Sequence, residues 1–368
     1  MKNCGVRTIG VMTTCGEVIV HRRRYRCRCR GCQHEVHPAD ARLCCGRHRV
    51  SRPLAKRVCP LAAVEHFTRL PKLVMAQHGV TLCHETILEP AHDVGGAAER
   101  RRLAEARSSA ARREPPPVTL PNPPQRVCVS VDGIMSCTNP TEPDADHPGQ
   151  QRLKWQQLKV GCVDWQDDHE RWHKQRVWGR ESPEEFAASL WRLARPCGYG
   201  QAEEKLFAAD GGGWCRDIHA RDFSDATGIL DGYHASEHVW AAAKVVDPES
   251  STVWANDALT QRHEGGGTGL AAWLKTRLAS RSPAPSSRRT PRLRERQGPP
   301  HELPRRQSER LANRLGHVES TCKQLVAQRL KGPGRHWSEP GALAITALRA
   351  TDLNGHWNPF WNTLTMKT

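Results

Sequence analysis

Residues 205–246 read KLFAADGGGWCRDIHARDFSDATGILDGYHASEHVWAAAKVV. The opening run, Lys205-Leu206-Phe207-Ala208-Ala209, has the apolar, alternating character of a strand and delivers Asp210 onto Gly211-Gly212-Gly213. A carboxylate so placed stands at the open end of a sheet. A second short run, Gly228-Ile229-Leu230, ends on Asp231 and passes through Tyr233-His234 into an amphipathic helix carrying Glu237, His238 and Trp240. Acids, imidazoles and a sheet edge in one short stretch predict the middle of a metal-dependent phosphoryl-transfer site.

Upstream, Val127-Cys128-Val129-Ser130-Val131-Asp132-Gly133 is apolar at alternate positions and also ends on an acid followed by glycine. Two more strand-like runs follow, Trp155 to Trp165 and Glu170 to Trp178, joined by the polar turn Gln166-Asp167-Asp168-His169. Ser182-Pro183-Glu184-Glu185 then opens a helix, with the serine as N-cap and proline in the first turn. Three strands, a helix and a fourth strand are the opening of a ribonuclease H-like α/β fold, in which the first and fourth strands are neighbours. That topology sets Asp132 beside Asp210. Two ionised carboxylates so close repel, and a divalent cation with a preference for oxygen ligands relieves the repulsion.

Two cations about 3.5 to 4 Å apart serve an in-line displacement at phosphorus, and holding them takes a third acid. Glu319 is the best candidate, early in a predicted helix over 316–331 whose apolar face is Val318, Cys322, Leu325, Val326 and Leu330. Asp231 competes for the role.

The chain has 368 residues, enough for two or three domains, and its 55 Lys plus Arg against 39 Asp plus Glu give a net charge of +16. Such a balance expects a polyanion. No apolar run is long enough to cross a membrane, and MKNCGVRTIG lacks the core of a signal peptide, so a cytoplasmic location is expected. Fifteen cysteines without a secretion signal read as reduced thiols or metal ligands.

Residues 1–50 are basic and cysteine-rich. Cys29-Arg30-Gly31-Cys32 has the spacing of half a zinc knuckle, and the remaining ligands would come from Cys4, Cys27, His34 or His37. A basic hairpin with unliganded cysteines is the alternative. Residues 51–113 have helical periodicity, with Leu61, Val64, Phe67, Leu70, Leu73 and Val74 at threes and fours, a break at Gly79 and a second short segment over 81–91. Both a helix-turn-helix and a plain helical hairpin covering a core fit this pattern. Residues 114–125, EPPPVTLPNPPQ, contain six prolines and predict a linker between the N-terminal region and the catalytic part.

The residues also carry a family resemblance. Asp132-Gly133, Asp210-Gly211 with Trp214, Ile229-Leu230-Asp231 with Tyr233-His234-Ala235 and Glu237-His238, and His317-Val318-Glu319-Ser320 look like the DDE transposases of the IS-Kra-four group of insertion sequences, relatives of the Mutator-like transposases. Arg335-His336-Trp337-Ser338, Leu348-Arg349 and Trp357 with Phe360-Trp361 follow the same pattern in order. The match covers about 125–265 and 316–361. It implies a ribonuclease H-like core in two parts, 126–235 and 316–368, separated by a helical insertion over 236–315. It also implies a triad of Asp132, Asp210 and Glu319 holding two Mg²⁺ or Mn²⁺ ions, with Asp231, His234, Glu237 and His238 in support.

The expected partner is double-stranded DNA, both the terminal inverted repeats and the target, bound by a homodimer or higher oligomer on the bacterial nucleoid. Phosphate contacts are expected from Arg22, Arg23 and Arg24 and from Lys323, Arg329 and Lys331. Zn²⁺ is expected at Cys27, Cys29, Cys32 and Cys4. The competing readings are a ribonuclease H-like nuclease without strand transfer and a catalytically inactive DNA-binding relic.

Two stretches depart from the family. Residues 281–311 are rich in Arg, Pro and Ser and read as a disordered basic segment where the family is helical. Codons for Arg310-Leu311-Ala312-Asn313-Arg314-Leu315-Gly316, read one base later, can spell the family's GLPIGSG. This predicts a segment translated out of register, which the gene's nucleotide sequence would show. Cys4-Gly5 resembles the second half of a knuckle whose first cysteine would precede Met1.

Overall fold

The computed structural model describes residues 1–29, 31–32, 34–45, 49–111, 119–139, 154–230, 232–279, 318–332 and 334–364, with backbone alone at 41, 44–45, 109–111, 230, 232–234 and 278. The expectations for Asp231 and for 281–315 lie outside these residues, as does the side chain of His234.

The chain is mixed α/β. At its N-terminus, β1 (Lys2–Thr13) and β2 (Gly16–Arg26) form an antiparallel hairpin. Neighbouring them are β3 (Glu35–Val36), β4 (Cys44–Cys45) and β5 (Val50–Ser51), with the single-turn α1 (Asp40–Leu43) between β3 and β4. The sheet order is β3-β2-β1-β5-β4. Its small core is Ile9 and Val11 against Val20 and Leu43.

β5 runs straight into three helices, α2 (Arg52–Val64), α3 (Leu70–His78) and α4 (His84–Ala111). Ser51 caps α2 by accepting from the Leu54 N–H at 3.4 Å, with Pro53 in the first turn where its missing N–H costs nothing. The short second helix expected over 81–91 is the start of the 28-residue α4. Ile87, Ala91, Val94 and Ala98 recur along one face of α4, and all four are buried. Burying each of the larger aliphatic side chains contributes about 1.5–3 kcal/mol relative to exposure. These helices therefore cover a core, with the apolar face of α4 turned inward.

The central sheet is built from β6 (Arg126–Thr138), β7 (Lys154–Gln166), β8 (Trp172–Gly179), β9 (Glu204–Ala209) and β10 (Thr227–Leu230). The first three form an antiparallel meander, β9 lies parallel to β6 on its free side, and β10 lies parallel to β9. The order is β10-β9-β6-β7-β8, so the first and fourth strands are neighbours as expected. The turn before β8 takes in Glu170, which adopts φ 60° and shortens the strand expected from Glu170.

Alternation along β6 sends Val127, Val129 and Val131 to one face, where they meet α5 (Pro183–Ala194) and α6 (Gly213–Asp222). The start of α5 matches its sequence signature: Ser182 Oγ accepts from the Glu185 N–H at 3.2 Å. On the opposite face Leu158, Val160 and Trp178 join a core made with α2, α3, α4 and the C-terminal helices α9 (318–330), α10 (Glu339–Leu353) and α11 (Trp357–Thr363). Two residues of α2 bind the far end of the chain directly. Arg52 Nη2 donates to the Leu364 carbonyl at 2.8 Å, and Trp357 Nε1 donates to the Lys56 carbonyl at 3.3 Å.

The segment after the proline run is fastened to the loop between α5 and β9. The Leu120 N–H donates to Gln201 Oε1 at 2.7 Å, and Pro124 lies so close to Gly198 that a Cβ there would overlap its ring, 2.7 Å from Cγ. Helix α9, expected to be regular, contains a π-helical turn over Lys323–Ala327. After β10 come α7 (Gly232–Val246) and α8 (Ser251–Ala279), which bury Val239, Ala243, Trp254, Ala255 and Ala258 between them, with α8 broken at Gly266.

Candidate active site at the carboxylate edge

The parallel ladder between β6 and β9 ends at the couple Val131–Ala209. Asp132 and Asp210 are the next residues on the two strands, and the register sets them side by side at the edge where β9 stops.

Each acid accepts from a backbone N–H and from a thiol. Asp132 Oδ1 accepts from the Gly133 N–H at 2.6 Å, and its Oδ2 accepts from the Cys322 thiol at 3.4 Å. Asp210 Oδ1 accepts from the Gly212 N–H at 2.8 Å and from the Cys215 thiol at 3.3 Å. Gly211 makes the second arrangement reachable. Its φ of 82° is a left-handed conformation that side chains disfavour, and it turns the chain back so that Gly212, the N-cap of α6, meets the carboxylate. Burial pushes both thiols well above the ordinary cysteine range, and the neighbouring aspartates add to the effect.

Glu319 is exposed at the start of α9, one turn before Cys322. Residues three apart share a helix face. The bond from Cys322 to Asp132 therefore ties the face carrying Glu319 to the edge that carries the aspartates, although 190 residues separate Cys322 from Asp132.

Across from Gly133 on β7 stands Lys159, whose amine donates to the Glu181 carbonyl at 2.6 Å and lies 6.0 Å from the centre of the Trp214 ring. Burial lowers its pKa. Sequence reasoning passed over Lys159, Cys215 and Cys322 as site residues. A usable signal existed for Cys322, which follows Glu319 by one turn. Of the supporting residues, Glu237 and His238 are exposed on α7, directly after β10.

Among the described residues, the only group of three or more His, Cys, Asp or Glu side chains with ligand atoms within 4.8 Å of one another is Cys27, Cys29 and Cys32. Their sulfurs are 3.0 Å apart between Cys27 and Cys29 and 2.7 Å between Cys29 and Cys32. Three converging thiols could hold a soft cation such as Zn²⁺. Hydrogen bonds from Cys32 and then Cys27 bring the Cys29 pKa down to about 7. Cys4 stands outside the group; its thiol is directed to the Lys2 carbonyl at 3.6 Å. Asp132, Asp210 and Glu319 do not form such a group.

No protein-family model matches the chain, and no curated protein matches it.

The basic residues divide into two sets. Arg22 is buried in an ion pair with Asp40, and Arg329 is 3% exposed, its guanidinium 5.0 Å from the Phe67 ring and 4.7 Å from the Trp337 ring. These two arginines face inward, which corrects their expected place among the phosphate contacts. The cause is distant in sequence: an aromatic pair and the Ala62 carbonyl, 3.2 Å from Arg329 Nε, take up the charge that the local pattern left on the surface. Arg24 is partly buried beside Glu35, 3.7 Å away, while Arg23, Lys323 and Lys331 are exposed.

Proposed function

We propose that this protein is the transposase of a bacterial insertion sequence, a DDE enzyme on a ribonuclease H-like core that cuts DNA at terminal inverted repeats and joins the ends to target DNA. The observation that supports this reading is the pairing of Asp132 with Asp210 at the end of the Val131–Ala209 ladder, with Cys322, one turn after Glu319, in contact with Asp132.

Two oxygen-loving divalent cations, Mg²⁺ or Mn²⁺, would supply charge stabilisation at the scissile phosphate. Asp132, Asp210 and Glu319 are the residues that would hold them. Gly133 and Gly212 fix one oxygen of each aspartate, so the acids are oriented before substrate arrives. Water attacks the phosphodiester in the first step, and the freed 3′-hydroxyl attacks the target strand in the second. Arg23, Lys323 and Lys331 supply exposed charge for the DNA backbone, in keeping with the net +16. Cys27, Cys29 and Cys32 would hold a structural Zn²⁺. Among the described residues no helix is long and apolar enough to cross a membrane.

The test is incubation of the full chain with duplex DNA carrying the element's ends, a target duplex and Mg²⁺, beside Asp132→Asn, Asp210→Asn and Glu319→Gln. The expected result is cut and joined products from the wild type and neither from the variants. Cleavage without joined products would make the protein a nuclease, and equal cleavage by all three variants would remove the triad.

A further inference from the structure

The sheet has two separate apolar cores, one on each face, and each sends one thiol to one of the paired acids. Cys215 belongs to the core beneath α5 and α6, and its sulfur is 3.3 Å from Asp210 Oδ1. Cys322 belongs to the larger core beneath α2, α4 and α10, and its sulfur is 3.4 Å from Asp132 Oδ2. Both cysteines are buried, with Cys215 at 0% and Cys322 at 4% exposure.

We infer that Cys215 and Cys322 are positioning residues for the paired aspartates, each setting the rotation of one carboxylate with an S–H hydrogen bond. The inference rests on the reading of Asp132 and Asp210 as metal ligands. A carboxylate turns about its last bond in a broad, shallow well, so one backbone N–H leaves its plane loosely defined. A second donor narrows it. In both cases the first donor is the N–H of a nearby glycine, and the second arrives from a helix packed on the sheet.

A thiol suits this place in two ways. It behaves as a small hydrophobe, so the core that supplies it gives up little by having it at the boundary. It is also a weak donor, which orients the carboxylate without competing strongly with a hard cation for the oxygen. The hydroxyl of serine would donate more strongly from a shorter reach.

The experiment measures Mn²⁺ binding to the full-length protein by electron paramagnetic resonance, without DNA, for Cys215→Ala, Cys322→Ala, their serine counterparts, and Asp132→Asn with Asp210→Asn as a reference. Partners that orient metal ligands are worth about 10–100-fold in affinity. The expected result is a loss of that size in each alanine variant, recovery to within a few-fold in each serine variant, and unchanged far-UV circular dichroism throughout. Unchanged Mn²⁺ affinity in both alanine variants, with binding lost in the aspartate reference, overturns the positioning role and leaves the metal site standing. A loss that serine does not restore assigns the effect to packing and also overturns it. Unchanged binding in the aspartate reference overturns the metal-site reading itself.

Discussion

Asp132 and Asp210 each stand one residue past Val131 and Ala209, the last couple of the parallel ladder, Asp132 within β6 and Asp210 just beyond the end of β9. Like charges held at such close quarters disfavour the fold until a cation joins them. Mg²⁺ should therefore raise the thermal midpoint of the wild type, by an amount corresponding to about 2.7 kcal/mol at a hundred times its Kd. Asp210→Asn should be at least as stable as the wild type without metal and should gain much less from it. Differential scanning fluorimetry across a Mg²⁺ titration checks this, and equal gains in both proteins would place the metal elsewhere.

Gly95 lies where α4 crosses α10, and a Cβ there would stand 2.7 Å from the Ala344 carbonyl carbon and 2.9 Å from its Cα. Both obstacles are backbone, so neither can swing aside. Gly95→Ala is expected to lower stability by about 1–3 kcal/mol, the cost of forcing packed elements apart. Gly96→Ala, one position along, meets only the end of the Arg100 side chain and serves as the control. Urea midpoints of the two variants make the comparison.

In metal-free protein the Cys29 thiol ionises near pH 7, ahead of Cys27, whose pKa is raised because its strongest interaction is donation to Cys29. The thiolate is the reactive species, so reactivity climbs as pH rises through about 7 and falls below it. Brief iodoacetamide treatment followed by peptide mass spectrometry should find Cys29 modified first among these three. One equivalent of Zn²⁺ should protect all of them. Labelling of Cys27 ahead of Cys29 would contradict the hydrogen-bond order.

The two kinds of basic residue should separate cleanly by experiment. Lys323→Ala and Lys331→Ala should leave the urea midpoint unchanged and flatten the salt dependence of DNA binding, each by a slope of about 0.9 for the one phosphate charge it no longer neutralises. Arg329→Met should act on the fold, because it removes a desolvated cation–π interaction worth about 2 kcal/mol together with the bond to Ala62. Denaturation curves beside filter-binding isotherms at several salt concentrations distinguish the cases. A full-sized stability loss in Lys323→Ala would reverse the assignment.

The strands of the central sheet are legible as short apolar or alternating runs, and Ser182-Pro183 announces the start of α5 by local capping chemistry. β9 stops at Ala209, one residue before Asp210, as its apolar run suggests, whereas β6 continues past Asp132 to Thr138, five residues beyond the end expected at Gly133. What the pattern could not carry was partnership. The apolar stripe of α4 declares a buried face but does not name α10 as its cover. Strand β1 was missed because Gly5, Arg7 and Gly10 interrupt its alternation. Cys215 and Cys322 passed as ordinary core residues, since a thiol that touches a carboxylate looks locally like one that touches leucine. The π turn in α9 left no trace in the spacing of Val318, Cys322, Leu325 and Val326.

The bond from Arg52 to the Leu364 carbonyl joins residues 312 positions apart. At about 5–20 residues per second, a ribosome needs on the order of 15–60 s to make the intervening chain. Throughout that interval α2 and α4 are without the C-terminal helices that cover them, and Asp132 is without Cys322. The carboxylate edge is therefore among the last parts of the molecule to assemble, and a chain interrupted before α9 emerges has both aspartates but no completed site.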